Sequence, residues 1–523
     1  MTGSATLLRA FLRRDRWLYL WWALGATLLY YSQAVSVKGL YTTQAEFDKA
    51  ASSMAANTAF VAMAGPARAL NTIGGQVMWQ ASAFGAIVAG LMSMFLVGRH
   101  TRAEEESGRD ELVRASAVSR HAPLTAALAD ALLANVVLGA LVAVSLATFP
   151  LDAPDSIAVG VGLTLCGWVF TATALIAAQV TSSTRSMYGI AGSVIAVSYA
   201  LRAVGDVGNP ALSWLSPIGW YQAMHPFSGL RWWPALLLLA LAAVATASAY
   251  VLFGVRDFGT GLWAARPGPD RADAVLSSPL GFAWRLQRGS VIGWTAGMVL
   301  LGLAYGSIGD DVGTLIGDST ASQDVFAQGG GSLVDGFYAV AIVMIALVGA
   351  GFTVSSALRP RTEEDEGRVE ALLVTGLTRR RWLTAQVAVT VAGTVAVLVG
   401  GGLGLGLGFA LVTGDGGRTG PFLLDTVGYA APTLVLAGLA WLLYGVVPRW
   451  AYLAWLGLAF GVVILFFGPL LHLPDWLQQL SPYHHLALVP AEPFSWAPFL
   501  GLLLVAAALS AAGEAAFVRR DLR

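Results

Sequence analysis

The feature that most constrains this chain is a series of twelve apolar stretches, each long enough to cross a bilayer. A hydrocarbon core of roughly 30 Å takes about 20 apolar residues of helix. Such stretches run near 17–36, 79–98, 123–148, 157–180, 187–205 and 232–254, then near 290–308, 337–357, 382–412, 421–446, 450–472 and 494–517. A helix satisfies its own backbone groups inside lipid, so the pattern predicts an all-α membrane protein. Composition agrees: 12% of the residues are charged, against about 25% in soluble domains, and mean hydropathy is +0.66. So thin a polar coat excludes a soluble enzyme and a disordered scaffold. The 31 basic residues balance 31 acidic ones, so no nucleic-acid partner is expected. The single cysteine, Cys166, excludes an internal disulfide framework or a cysteine metal cluster. The first stretch, flanked by Arg9, Arg13, Arg14 and Arg16, reads as a span and not as a cleaved signal peptide.

Lysine and arginine set the orientation. The non-membrane segments 1–16, 99–122, 181–186, 255–289, 358–381, 447–449 and 518–523 hold 25 of the 31 basic residues. The remaining six are Lys38, Lys49, Arg68, Arg202, Arg231 and Arg418. The arginine-rich side is the cytoplasm, so both termini are expected there, in a multi-pass protein of a bacterial plasma membrane.

The chain is also written twice. Arg102, Glu104–Glu106, Gly108, Arg109, Glu111 and Arg120 return as Arg361, Glu363–Asp365, Gly367, Arg368, Glu370 and Arg379, at a constant offset of 259 without a gap. Leu215-Ser216-Pro217 returns at offset 265 as Leu480-Ser481-Pro482. Phe253 with Arg256-Asp257 returns at offset 264 as Phe517 with Arg520-Asp521. These matches lie in polar loops, where shared apolarity cannot produce them. They divide the chain into a six-helix half over 1–254, a cytoplasmic linker over 255–288 and a second six-helix half over 289–523.

The repeated segments, 101–120 and 360–381, open with acids and close with arginines, the charge order that favours a short helix through its dipole. Gly108 and Gly367 permit either a sharp change of direction or close approach of another backbone. Acids and arginines around an apolar side suit a docking surface with defined register. The candidate docking residues are Glu104, Glu105, Glu106, Gly108, Arg109 and Glu111 in one half. In the other they are Glu363, Glu364, Asp365, Gly367, Arg368 and Glu370.

The acid-led pattern Gly-Arg-x-Glu (Gly108-Arg109-Asp110-Glu111 and Gly367-Arg368-Val369-Glu370) between the second and third helices of a six-helix half resembles the coupling-helix region of ABC-2 type transporter permeases. Twelve spans in one chain are similar to the double-length, tetronasin-type permeases of actinobacterial polyketide-antibiotic exporters. The resemblance covers essentially the whole chain and implies two tandem halves of type V exporter architecture, exporting a hydrophobic or amphipathic compound. It also implies a connector helix at the start (Leu7, Leu8, Phe11 and Leu12 among arginines), an outer re-entrant helix pair over 206–231, and its counterpart over about 473–496. Two copies of a soluble ABC ATPase would supply the energy and bind the ATP and Mg.

Absent motifs agree. The two lysines, Lys38 and Lys49, do not follow a glycine, so no phosphate-binding loop is present. No catalytic residue, cofactor site or metal site is expected in this chain; the adjacent His484 and His485 lack ligand spacing. The glycine run 400–408 lies inside a span, where small residues let helices approach. Ionisable groups within spans are functional candidates: Asp130 and Glu514 are possible gating or substrate-path residues, with Gln179 and Asp425 beside them. An alternative reading is a proton-driven secondary multidrug transporter, which would want paired charges at mid-membrane.

Overall fold

The computed structural model describes residues 2–40, 43–56, 58–149, 151–257, 259–263, 270–309, 332–467 and 474–521. Most of the stretch 309–336 between the seventh and eighth expected spans, the end of the predicted span 450–472 and part of the linker fall outside them. All regular structure among the described residues is helical. Among the described residues, eleven helices are long and apolar enough to cross a membrane. A further helix, Arg16–Leu40, is 25 residues long but rich in tryptophan and tyrosine, which lowers its hydropathy. Its exposed Trp17, Trp21, Leu24 and Leu28 still present a lipid-compatible face. The chain is a multi-pass membrane protein. It divides into two compact units, Met1–Gly268 and Pro269–Arg523.

In the first unit the helices are α1 (Ser4–Arg14), α2 (Arg16–Leu40), α3 (Gln44–Ala56), α4 (Thr58–Ala64), α5 (Ile73–His100), α6 (Arg102–Glu106), α7 (Arg109–Arg114), α8 (Ala122–Thr148), α9 (Ala153–Val180), α10 (Thr184–Val207), α11 (Pro217–Gln222) and α12 (Trp233–Val255). The long helices α5 and α9 are buried along most of their length, with α2, α8, α10 and α12 packed around them. Small residues permit this: Gly167 lies against Asn135, whose amide donates to Ser93 Oγ at 2.9 Å. Phe11 of α1 packs on Ala126 and Ala127 of α8, with Leu7 and Leu8 beside it, so the amphipathic start docks by its apolar stripe. The region predicted as a re-entrant helix pair, 206–231, is shorter in helix than expected. It holds the end of α10, a 3-10 turn at Ser213–Leu215 and α11, before an irregular stretch.

The second unit contains α13 (Pro279–Gly306), α14 (Leu333–Ala357), α15 (Arg359–Asp365), α16 (Arg368–Leu373), α17 (Arg379–Thr413), α18 (Thr419–Gly428), α19 (Ala430–Val446), α20 (Ala454–Phe467), α21 (Asp475–Gln478) and α22 (Trp496–Arg519). The counterpart stretch 473–496 holds only α21 and a 3-10 turn at Pro482–His485 among its described residues. Two boundaries depart from the sequence reading. The seventh span starts at Pro279 and not near 290, because Ser278 caps Gly281 N–H at 3.0 Å and Pro279 occupies the first helical position. The tenth, predicted as one helix, breaks at Tyr429. Pro432 has no N–H to offer the Gly428 carbonyl. The glycine run packs as expected: a Cβ on Gly404 would sit 2.2 Å from Val299 O, and one on Gly408 2.5 Å from Leu303 O, so α17 and α13 touch backbone to backbone. Beside this seam, buried Gln287 and Gln386 bond at 2.9 Å and Ser356 bonds Thr390 at 2.8 Å, polar ties between α13, α14 and α17.

Candidate functional site

Each repeated acidic segment forms an elbow of two short helices at one end of its unit. In the first unit α5 stops at His100, α6 turns away, Gly108 reverses the chain and α7 follows. In the second, α14, α15, Gly367 and α16 do the same. Gly108 and Gly367 have φ of +71° and +70°, and the space beside both is open. The left-handed backbone, and not crowding, is what calls for glycine there.

The inner layer of each elbow is a buried ion pair. Glu105 accepts from Arg102 at 2.7 Å and takes both terminal nitrogens of Arg256. Arg256 Nε donates to Gln179 at 2.7 Å. At the equivalent place Glu364 takes Arg520 through two nitrogens, one at 2.8 Å, and accepts Tyr444 Oη–H at 2.6 Å. Both arginines lie over the phenylalanine three residues before them, Phe253 and Phe517, at 5.4 and 5.2 Å. A second tie is also repeated: Arg120 donates to the carbonyls of Phe253 and Gly254 at 3.4 and 3.3 Å, as Arg379 does to those of Val518 and Arg520 at 3.5 and 2.5 Å. A cation thus caps the carboxyl end of the last helix of each unit. Each elbow is thereby clamped to that helix end.

The other acids divide unevenly. Glu104 pairs with Arg14 at 2.6 Å, and Glu106 accepts the Thr184 N–H at 3.0 Å. Glu363 holds Arg359 and Arg368 at 2.7 and 2.5 Å, and Asp365 holds Arg361 at 2.7 Å. The bond from Glu363 raises the Arg368 pKa above its already high ordinary value. Arg109, Glu111 and Glu370 are exposed and make no ion pair with another described residue, and Leu112 and Val374 stand exposed beside them. Six predicted docking acids are therefore engaged within the chain, and the second short helix of each elbow is what the surface presents.

Residues 276–518, nearly the whole second unit, match the family model of the C-terminal domain of the multidrug efflux system permease Rv1217c. The full chain is 39% identical, over 527 aligned residues, to the multidrug efflux system permease protein Rv1217c of Mycobacterium tuberculosis, covering 100% of this chain and 96% of the relative. The chain belongs to this family of multidrug efflux permeases. Both elbows of the permease lie within the aligned length.

The sequence reading missed one cluster in the permease. Asp130 is buried, accepts the Tyr19 hydroxyl at 2.6 Å and lies 3.6 Å from His100 Nε2, which faces Asp15 at 2.8 Å. Arg14 sits 2.9 Å from His100 Nδ1, so that nitrogen accepts and the ring proton is on Nε2. Phe11 stacks on the ring at 3.9 Å. The cluster ties α1, α2, α5 and α8 together at the elbow end. It is not repeated, since Arg359 stands at the offset of His100. The available signal was an aspartate, Asp15, set among the arginines of the amphipathic start. Glu514 bonds Arg380 at 2.8 Å near the surface, and Asp425 makes no ion pair with a described residue. Among the described residues no cluster of histidine, cysteine or acids has a metal site's make-up; His485 Nε2 instead lies 2.7 Å from Gln479 O.

Proposed function

We propose that the permease is the membrane-spanning subunit of an ATP-driven ABC-2 exporter, and that each elbow receives one copy of a separate soluble ATPase carrying ATP and Mg. The observation that carries this reading is the duplicated elbow itself: a buried clamp behind, an exposed charged and apolar tip in front. Such a tip suits a partner interface, with an apolar centre for burial and charges for register. The clamps would pass a push on the tip to the last helix of each half, favouring one state of a two-state bundle. The arginine-rich elbow side would be cytoplasmic, as would both termini. Walls of leucine, alanine, valine and aromatic residues suit a hydrophobic or amphipathic cargo, such as a drug, a polyketide antibiotic or a lipid-like compound.

The test is ATP turnover by the permease reconstituted with its partner ATPase. Glu111→Arg combined with Glu370→Arg is expected to lower permease-stimulated turnover at least about tenfold, since like charges across an interface cost several kcal/mol, while the chain alone stays folded. Unchanged stimulation would overturn the reading. A proton-driven carrier is the second reading, favoured by His100 between Asp15 and Asp130. It would require drug uptake into liposomes driven by a proton gradient without any ATPase, lost in His100→Gln. We expect no such uptake.

A further inference from the structure

At the end of the first unit remote from the elbow, α4 ends and α5 begins beside the stretch that follows α10. Three of the six basic residues outside the arginine-rich segments, Arg68, Arg202 and Arg231, gather here. Arg202 is buried and engaged: it donates to Ala62 O and Met63 O at 3.0 and 2.8 Å, satisfying the end of α4, and lies 3.6 Å from Asp206. Arg68 and Arg231 make no ion pair with any described residue. Both line a cleft of about 330 Å3. Asp206 also lines the cleft, shared between Arg202 and Arg68, so three arginines against one carboxylate leave a net charge of +2 there, a field that concentrates anions. His225, on the same wall, registers that field: burial first, then Arg68 and Arg231, lower its imidazole to about 4.

Gln222 is buried and lines the cleft, its amide donating to Ala64 O and Ser82 Oγ at 2.7 and 2.8 Å, which fixes this part of the wall. One further feature points to a ligand. The indoles of Trp214 and Trp233 stack at 5.2 Å on the cleft rim, an apolar surface beside a charged one, as amphiphiles require. In the second unit the offset of 265 places Trp496 where Arg231 stands, and the arginine is not repeated.

We propose that this cleft binds an anionic phosphate or carboxylate group, gripped by the guanidinium groups of Arg68 and Arg231, with Trp214 and Trp233 covering the apolar part of the molecule that bears it. Guanidinium suits such anions because its fork donates two parallel bonds. This site lies away from the elbow and stands whether or not an ATPase docks there.

The test titrates the purified full chain with inorganic phosphate, with the short-chain lipid dihexanoylphosphatidylglycerol, and with its phosphatidylcholine analogue. Tighter binding of the phosphatidylglycerol than of the other two identifies an anionic lipid headgroup as the source. Equal binding of inorganic phosphate identifies a free anion. In either case Arg68→Gln with Arg231→Gln is expected to weaken binding by about tenfold or more, and the paired lysine variants to restore part of it. If the double variant fails to fold, Arg231→Gln alone, at an exposed side chain, is expected to weaken binding about threefold or more. Absence of saturable binding of any anionic probe, or unchanged affinity in the glutamine variants, overturns the proposal.

Discussion

Replacing Glu105 by alanine would leave Arg102 and Arg256, 1% and 6% exposed, without their shared anion. Deleting one partner of a buried ion pair costs about 3–5 kcal/mol, because a charge is left desolvated and unmatched. Glu105 serves two arginines, yet the cost does not double. Arg102 keeps the carbonyls of Ala178 and Thr260, at 2.5 and 3.0 Å. Arg256 keeps Gln179 and Thr260, at 2.7 and 2.9 Å. The expected loss is about 4 kcal/mol, near the middle of that range. At about 2–4 °C per kcal/mol for a body of this size, the unfolding midpoint falls by about 8–16 °C. The assay is thermal unfolding of the purified full chain in detergent, beside Glu111→Ala at the exposed tip. Surface changes usually stay within about 0.5 kcal/mol, so the tip variant is expected within about 2 °C of the parent. Glu105→Gln, which keeps an acceptor but no charge, should fall between them. A Glu105→Ala midpoint no lower than that of Glu111→Ala would refute the division of the elbow into clamp and tip.

Gly108→Ala and Gly367→Ala are each expected to cost about 1–2 kcal/mol from the left-handed backbone and to speed hydrogen exchange in the elbow, with asparagine better tolerated; parental exchange rates would contradict this. Gly404→Ala should cost about 1–3 kcal/mol, because its Cβ would meet Val299 O. Gly297→Ala, on α13, the other helix of the seam, but facing open space, should gain up to about 1 kcal/mol; equal melting of the two would remove the backbone seam from the account. Tyr19→Phe strips a donor from buried Asp130 and should cost about 1–3 kcal/mol by denaturant titration.

The spans were legible because a bilayer imposes a length and a polarity that no loop imitates, and the repeat was legible because polar loops have no other reason to match. The break at Tyr429 was less so: Pro432 was visible, but proline inside a span can kink without ending it. The elbow's position and its glycine turn could be read from Gly108 and Gly367. Its acids were another matter. Charge runs read as one surface, and a sequence does not say which of Glu104, Glu105 and Glu106 turns inward. The answer was half written, since Glu105 and Arg256 both recur, as Glu364 and Arg520, and partners that recur together are candidates for contact. His100 had no such second copy, so its pairing with Asp15 and Asp130 became visible only in three dimensions.

Where α13 meets α17, glycine after glycine removes the side chains that elsewhere act as bearings between neighbouring rods. Two cylinders in that state cannot turn or slip past one another by a helical step without lifting whole carbonyl rows apart. They travel as a single beam, and any rocking inside the second unit is confined to its other joints.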